Sequence, residues 1–418
     1  RCRRADGVSA ADGGRDIRPR QSAGRFAGHP RYQAGKLIVF SICHLDSLGS
    51  LQCSAARLFF TMSTEPQTQL DQAKLGALAG KVLGDTAGAL GVLLSYIGDQ
   101  TGVYRALEEA GPCTAGQLAD KCGLNERYLL EWLSATTSLG YVTYEPEGES
   151  FSLSPEQAAV FAREGDPTCM QGGFQSIVGE FAQYEKAVDV FRSGEGRPWG
   201  DHHSCLFCGT DRFFKPGYNA NLLEQWIPAL EGVDAKLQAG GKVADVGCGY
   251  GSSTILMAKH YPNSVIHGFD FHEPSIVAAR ESAEKEGVSN VEFFVSDAAS
   301  MPDDGYDLAC IFDALHDMGD PVGAASSICR ALKPDGTFMV VEPMAGDSLK
   351  ENQHVLASLF YGFSTLVCVP TSKSQNVGLA LGAQAGQKRL TEVLNQAGFN
   401  DVRRATETPT NMVLEARL

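Results

Sequence analysis

A chain of 418 residues, 43% apolar and 20% charged, has the composition of a globular protein and is long enough for two domains plus connections. Its formal net charge of −15 is uneven: residues 1–61 carry ten Lys/Arg against four Asp, a net of +6, which leaves −21 on residues 62–418. So acidic a body argues against nucleic acid as substrate, since a phosphate-backbone binder shows a basic footprint, and no uninterrupted apolar run reaches membrane-spanning length, Ala87 to Ile97 coming nearest.

The first 61 residues look foreign to the rest. Met62 is the first methionine, and Ser63-Thr64-Glu65-Pro66 after it reads as a frayed, acidic N-terminus. Residues 1–61 read either as a non-native leader or, from their arginines and serines, as an organelle transit segment; four aspartates weigh against the second. The twelve cysteines are scattered, with Cys310, Cys329 and Cys368 in apolar surroundings. Without a secretory signal this predicts reduced thiols and a cytoplasmic location, or a mitochondrial one if the transit segment is genuine.

From Leu70 to Asp99 a Leu-rich, small-residue pattern predicts one or two helices, with Gly84, Gly88 and Gly91 allowing close helix approach. Thr114 begins a capped helix and Asn125 caps the next, which carries Leu129, Leu130, Trp132 and Leu133 at helical spacing. Gly140 to Tyr144 and Phe151 to Ser154 read as two strands joined by a turn through Glu147-Gly148-Glu149. Helix, turn, helix and hairpin make a winged helix. Its recognition helix and wing hold Glu126, Glu131, Glu145, Glu147 and Glu149, a poor surface for phosphate, so the module is expected to pack and dimerise. This bounds residues 62–160 as a helical winged-helix domain, 161–240 as a helical bridge covering the active site, and 241–418 as the catalytic domain.

Within the bridge, His202, His203, Cys205 and Cys208 offer four metal-ligating side chains, but no second Cys-x-x-Cys accompanies them, and no metal is expected there. The segment reads instead as a loop over the active site, and Phe213, Phe214, Tyr218, Trp226, Tyr361 and Phe363 as pocket walls or, more commonly, as core. Beyond it, short strands alternate with helices: strands at 242–246, 265–269, 291–295, 306–312 and 337–341, helices at 252–260, 274–285 and 321–332. That alternation predicts an α/β domain with a parallel sheet. A helix near 387–397 and strands near 402–405 and 412–416 follow.

A ligand in such a sheet sits at the carboxyl ends of the strands. The first strand ends in Gly247-Cys248-Gly249-Tyr250-Gly251, whose glycines let a ligand approach backbone N–H groups. The second ends at Asp270, placed to take both ribose hydroxyls, and the third at Asp297, placed to accept an adenine amino hydrogen. Dinucleotide oxidoreductases share the first two features, but their Gly-x-Gly-x-x-Gly is Gly-x-Gly-x-Gly here, and Asp245 precedes the first glycine by two positions. That spacing suits a cofactor without a pyrophosphate, one bearing a sulfonium amino acid.

These segments, with Ser296-Asp297-Ala298 and Leu332-Lys333-Pro334-Asp335-Gly336, resemble the class I S-adenosylmethionine-dependent methyltransferases, most closely the winged-helix subfamily known from actinobacteria and some eukaryotes. The resemblance implies a Rossmann-like, seven-stranded sheet with its last strand antiparallel, a dimerising N-terminal helical domain, and S-adenosyl-L-methionine as cofactor. It assigns cofactor contacts to Asp245, Gly247, Gly249, Gly251, Asp270, Phe271, Asp297, Ala298 and Asp313. Phe312-Asp313-Ala314-Leu315-His316-Asp317 is similar to the motif of small-molecule O-methyltransferases, in which the histidine deprotonates a hydroxyl, and Glu342 stands where those enzymes place the acid that orients it. His316 is therefore the expected general base, although a histidine there also caps helices or packs beside cofactors. Met318 departs from the family's tryptophan. The expectation is methyl transfer to a small-molecule hydroxyl, by a homodimer without nucleic-acid or membrane partners; the alternative is a cofactor-sensing winged-helix regulator.

Overall fold

The computed structural model describes residues 42–45, 51–54, 70–302 and 305–418. The expectations for residues 1–61 and for the start at Met62 fall outside them, apart from one antiparallel hairpin of β1 (Ile42–Leu45) and β2 (Leu51–Ser54). The chain forms two compact units, residues 1–80 and 81–418. One helix, α1 (Gln72–Thr101), occupies the stretch where the sequence allowed one or two. It is long and apolar enough to cross a membrane by length and composition, where the Ala87–Ile97 run alone was not. Its glycines divide differently from expectation. A Cβ on Gly84 or Gly88 would meet nothing within 4 Å, whereas one on Gly91 would lie 2.9 Å from Leu139 and one on Gly98 2.5 Å from Trp132.

The winged helix follows as α2 (Val103–Ala110), α3 (Ala115–Cys122), α4 (Glu126–Ser138) and a hairpin of β3 (Thr143–Glu145) with β4 (Ser150–Ser152). Thr114 and Gln117 close a reciprocal capping box on α3, and the Asn125 side chain accepts from the Tyr128 N–H to start α4. Tyr104, Leu107, Leu118, Leu133 and Phe151 are buried between these elements. Helices α5 (Pro155–Phe161), α6 (Gln171–Phe181), α7 (Tyr184–Ser193), α8 (Ser204–Asn221) and α9 (Val233–Gly240) lead to the sheet. The predicted loop at 202–208 is mostly the first turn of α8. His203 caps it, its Nδ1 accepting from the Cys205 N–H at 3.1 Å. Arg212 on α8 bonds both Asp99 oxygens at 2.9 and 3.1 Å and Gln175 at 2.7 Å, tying α8 to α1 and α6.

The sheet alternates as the sequence predicts: β5 (Lys242–Val246), α10 (Ser252–His260), β6 (Val265–Asp270), α11 (Glu273–Lys285), β7 (Val291–Val295), β8 (Tyr306–Phe312), α12 (Pro321–Ala331) and β9 (Leu332–Pro343). After it come α13 (Val355–Phe363), α14 (Val369–Lys373), α15 (Gly386–Ala397), β10 (Asp401–Glu407) and β11 (Asn411–Arg417). The order is β10-β11-β9-β8-β5-β6-β7, with β11 antiparallel to both neighbours and the five strands from β9 to β7 parallel. Seven strands with the last antiparallel is the expected sheet.

Both faces are covered, which explains the near-continuous apolar strands. Ala244, Val246, Ala309, Ile311, Phe338 and Val340 point to one core, and Val243, Leu308, Cys310, Met339 and Val341 to the other. Each fully buried aliphatic side chain is worth about 1.5–3 kcal/mol, so β8, buried at all seven positions, anchors the sheet. Strand order reverses between β5 and β8, and a crevice opens there at their carboxyl ends.

Candidate functional site

In that crevice lies a cavity of about 600 Å³, lined from the carboxyl ends of β5, β6, β7 and β8, from α8, and from α14 and the loop after it. Gly247, Gly249, Asp270, Phe271, Asp297, Ala298 and Asp313 all line it. The loop after β5 holds left-handed backbone at Gly247 (φ 74°), Gly249 (φ 53°) and Gly251 (φ 79°). At Gly249 a Cβ would meet no protein atom within 4 Å, so its missing side chain leaves an open approach to the loop's backbone. Asp270 braces this loop: Oδ2 accepts from the Gly249 N–H at 2.9 Å and Oδ1 from the His272 N–H at 2.8 Å.

Asp245 and Gly251 stand behind the loop rather than on the cavity. The Asp245 carboxylate is fully buried, and Oδ2 accepts the Ser253 and Thr254 hydroxyls at 2.7 and 2.6 Å. Through Oδ2 it secures the start of α10, while Oδ1 is buried without a partner; burial pushes its pKa up to about 6. Gly251 is packed so closely that a Cβ would sit 2.8 Å from the Phe293 ring.

Asp313 leaves β8 with a left-handed φ of 49°, a strained state for a non-glycine residue at a site. Asn411 on β11 donates to its Oδ1 at 2.8 Å, while Oδ2 is buried with no partner. Burial, and then the Glu342 charge, raise its pKa well above the carboxylate range. Asp211 on α8, which the sequence reading missed, faces the same cavity, accepts from Ser252 at 2.6 Å and is likewise raised by burial. In all, Asp211, Asp270, Asp297, Asp313, Asp317 and Asp320 line the space, with no Lys, Arg or His among the described lining residues. Of the aromatic candidates, Phe214 and Tyr218 form walls, joined by Trp199, Phe207 and Phe312, which the sequence did not single out. Trp226 is core, 2% exposed; Phe213, Tyr361 and Phe363 do not line the cavity.

His316 lies in a short turn (Leu315–Asp317) just beyond this lining and is 3% exposed. Its Nδ1 is hydrogen-bonded to Glu342 Oε2 on β9, and Glu342 Oε1 accepts from the Leu315 N–H at 3.0 Å. Nε2 faces Asp317 Oδ1 at 3.1 Å. Burial pulls the imidazole pKa down, but the two flanking carboxylates outweigh it and hold it well above the ordinary histidine value. His202 is buried far from this turn in sequence, with Nδ1 2.8 Å from Glu180, which also pairs with Arg197 at 3.0 Å.

These residues fit S-adenosylmethionine: an open glycine turn, a braced carboxylate at the second strand end, and an unpartnered buried carboxylate oxygen at the fourth. Residues 237–398 match the family described as "Methyltransferase domain", and residues 88–163 the "Rv2258c-like winged HTH domain". A sterol 24-C-methyltransferase of Gibberella zeae is 31% identical over 168 residues, 39% of this chain and 41% of that one. A demethylmenaquinone methyltransferase of Lactobacillus johnsonii is 26% identical over 40% of this chain and 71% of its own length. The chain thus spans about two fifths of the sterol relative it matches. Among solved structures, human N-acetylserotonin methyltransferase with bound S-adenosylmethionine superposes with a TM-score of 0.60 at 20% identity, covering 84% of this chain and 99% of that one. The mitomycin 7-O-methyltransferase MmcR gives 0.58 at 19% identity, covering 83% and 100%. Residues 237–398 accordingly match a methyltransferase domain and share the fold of the class I, S-adenosylmethionine-binding methyltransferases, behind a segment at 88–163 that matches an Rv2258c-like winged helix.

Proposed function

We propose that the chain transfers a methyl group from S-adenosylmethionine to a hydroxyl oxygen of a small aromatic or otherwise apolar molecule enclosed in the cavity. The charge of the lining carries this reading. Six aspartates and no described basic side chain repel a pyrophosphate and favour a cofactor bearing a sulfonium and an amine. The aromatic walls of Trp199, Phe207, Phe214, Tyr218 and Phe312 suit a flat apolar acceptor. MmcR, a mitomycin 7-O-methyltransferase of similar fold, agrees with oxygen as the acceptor atom.

When bound, S-adenosylmethionine supplies an electrophilic methyl on its sulfonium. Gly247, Gly249 and Asp313 hold the amino-acid end, Asp270 the ribose, and Phe271, Asp297 and Ala298 the adenine. His316, in the neutral form that its flanking carboxylates disfavour, takes the acceptor's proton, oriented by Glu342, and its Nε2 is reached from the cavity by a swing of the Asp317 carboxylate. The exposed acids of the winged helix, among them Glu131, Glu145 and Glu147, support an enzyme over a DNA-binding regulator. Exposed Leu83, Leu90, Leu93 and Ile97 on α1 support a homodimer. Buried free thiols at Cys113, Cys169, Cys248 and Cys310 agree with a cytoplasmic compartment, but Cys208 is disulfide-bonded, against the expectation of reduced thiols.

Calorimetry with the cofactor, and a screen of metabolite extracts with isotopically labelled cofactor, test the reading together. His316→Ala is expected to bind cofactor like the wild type and to lose about 10²-fold or more in turnover. Full turnover in that variant refutes the base and leaves alignment of the acceptor alone; no cofactor binding by the wild type refutes the whole reading.

A further inference from the structure

The turn that carries His316 gathers more donor atoms than proton removal needs. His316 Nε2 stands 3.1 Å from Asp317 Oδ1, and Cys368 Sγ completes a triangle whose atoms all lie within 4.8 Å of one another. Among the described residues no other three His, Cys or carboxylate groups converge in this way. Imidazole, carboxylate and thiolate are the ligands of zinc-class ions, whereas magnesium and calcium take oxygen alone.

Further observations make the triangle a built site. Glu342 holds His316 by Nδ1 and is itself held by the Leu315 N–H, which turns Nε2 toward the triangle, as second-shell carboxylates do behind metal-binding histidines. Asp317 Oδ1 is buried, with His316 Nε2 at 3.1 Å as its near polar neighbour, so both donor atoms turn into the triangle. Cys368 closes a π-helical turn (Ser364–Cys368), a distortion that recurs at functional sites. The strap beyond is tied to the histidine turn, since Gln375 donates to the Asp317 carbonyl at 3.1 Å and Ser372 to the Met318 carbonyl at 2.8 Å.

We infer that His316 Nε2, Asp317 Oδ1 and Cys368 Sγ bind a zinc-class divalent cation, with a fourth position open to the cavity that Asp317 lines. The inference rests on the proposed role of His316. A bound cation occupies the nitrogen that serves as base, so loading the site switches methyl transfer off while leaving the cofactor cradle intact. Ligation releases two protons to solvent, that of the Cys368 thiol and that of the His316 imidazolium at Nε2, while Nδ1–H stays on Glu342.

Titration of the full chain with Co²⁺ tests this. Visible bands of a four-coordinate ion and a thiolate-to-cobalt charge-transfer band are expected to grow to one equivalent, and Zn²⁺ to bleach them. Cys368→Ala removes the charge-transfer band, Asp317→Asn weakens Co²⁺ binding about tenfold or more, and Glu342→Gln weakens it about 10–100-fold. Cofactor affinity by calorimetry stays unchanged on adding Zn²⁺. A charge-transfer band that persists in Cys368→Ala, or no cobalt spectrum in the wild type, overturns the site. If Cys368→Ala does not fold by circular dichroism, wild-type affinity in Asp317→Asn overturns it instead. Failure of cofactor binding strikes the methyltransferase reading separately, because the cobalt spectrum does not depend on it.

Discussion

Replacing Gly249 and Gly251 by alanine, one at a time, separates cofactor approach from folding within three residues. Both have left-handed backbone, φ 53° and 79°, which costs an alanine about 1–2 kcal/mol. At Gly249 the added methyl meets no protein atom within 4 Å. Its cost in stability should stop at that backbone strain, while the methyl stands in the approach to the loop. At Gly251 the methyl would lie 2.8 and 2.9 Å from Phe293 ring atoms and 3.0 Å from Ala279 Cβ. Overpacking of that kind adds about 1–3 kcal/mol, for a total of about 2–5 kcal/mol. Urea unfolding without cofactor measures the first quantity and calorimetry with S-adenosylmethionine the second. Gly249→Ala should lose about tenfold or more in affinity, about 1.4 kcal/mol, with modest destabilisation; Gly251→Ala should lose most in stability. Near-wild-type affinity in Gly249→Ala, or less than about 1 kcal/mol lost in Gly251→Ala, refutes the division of labour.

Asp245, raised from 3.8 to about 6 by burial, contributes stability that is fully present below its unfolded pKa and lost as pH rises through its folded one. Asp245→Asn should therefore gain about 3 kcal/mol on the wild type between about pH 4 and pH 7; a pH-independent difference in urea unfolding would contradict this. Arg212→Met leaves Asp99 unpaired in a part-buried place and should cost about 3 kcal/mol in the same assay, with a loss near zero counting against the tie between α1 and α8. On α1, Gly88→Ala should stabilise by about 0.5–1 kcal/mol, whereas Gly98→Ala, whose methyl would meet Trp132 at 2.5 Å, should destabilise by about 1–3 kcal/mol. Thermal melts showing the two alike would sink that contrast.

Local signals read well wherever short-range chemistry decides. Thr114 and Asn125 cap helices because their side chains reach the next turn, and β5, β7 and β8 carry the bounds their apolar runs predict. The strand-end positions of Gly249, Asp270 and Asp297 follow from that alternation, and the cavity contains them. What the sequence hid was distance along the chain. Asp211, Trp199 and Phe207 reach the cavity from the bridge, and Cys368 meets His316 across the insert after β9, with no spacing to announce either. Asp245 shows the converse. Its place before the glycines pointed to the ligand, yet it lies behind the cavity lining, where Oδ2 accepts two hydroxyls at the helix start. Gly84 and Gly88 show that small residues permit close approach without causing it.

The position of β11 bears on how the protein is made. It follows every other strand in the chain yet lies inside the sheet, between β10 and β9, and its Asn411 holds Asp313 in the cavity. On the ribosome, domains fold as their residues emerge, at about 5–20 residues per second. Until the stretch through Arg417 has cleared the exit tunnel, the nascent sheet keeps β9 as an open edge and Asp313 without its partner. The cavity thus waits on β11 for the bond that holds Asp313, and a protease that clips just before Asn411 would open the β9 edge and release Asp313 again.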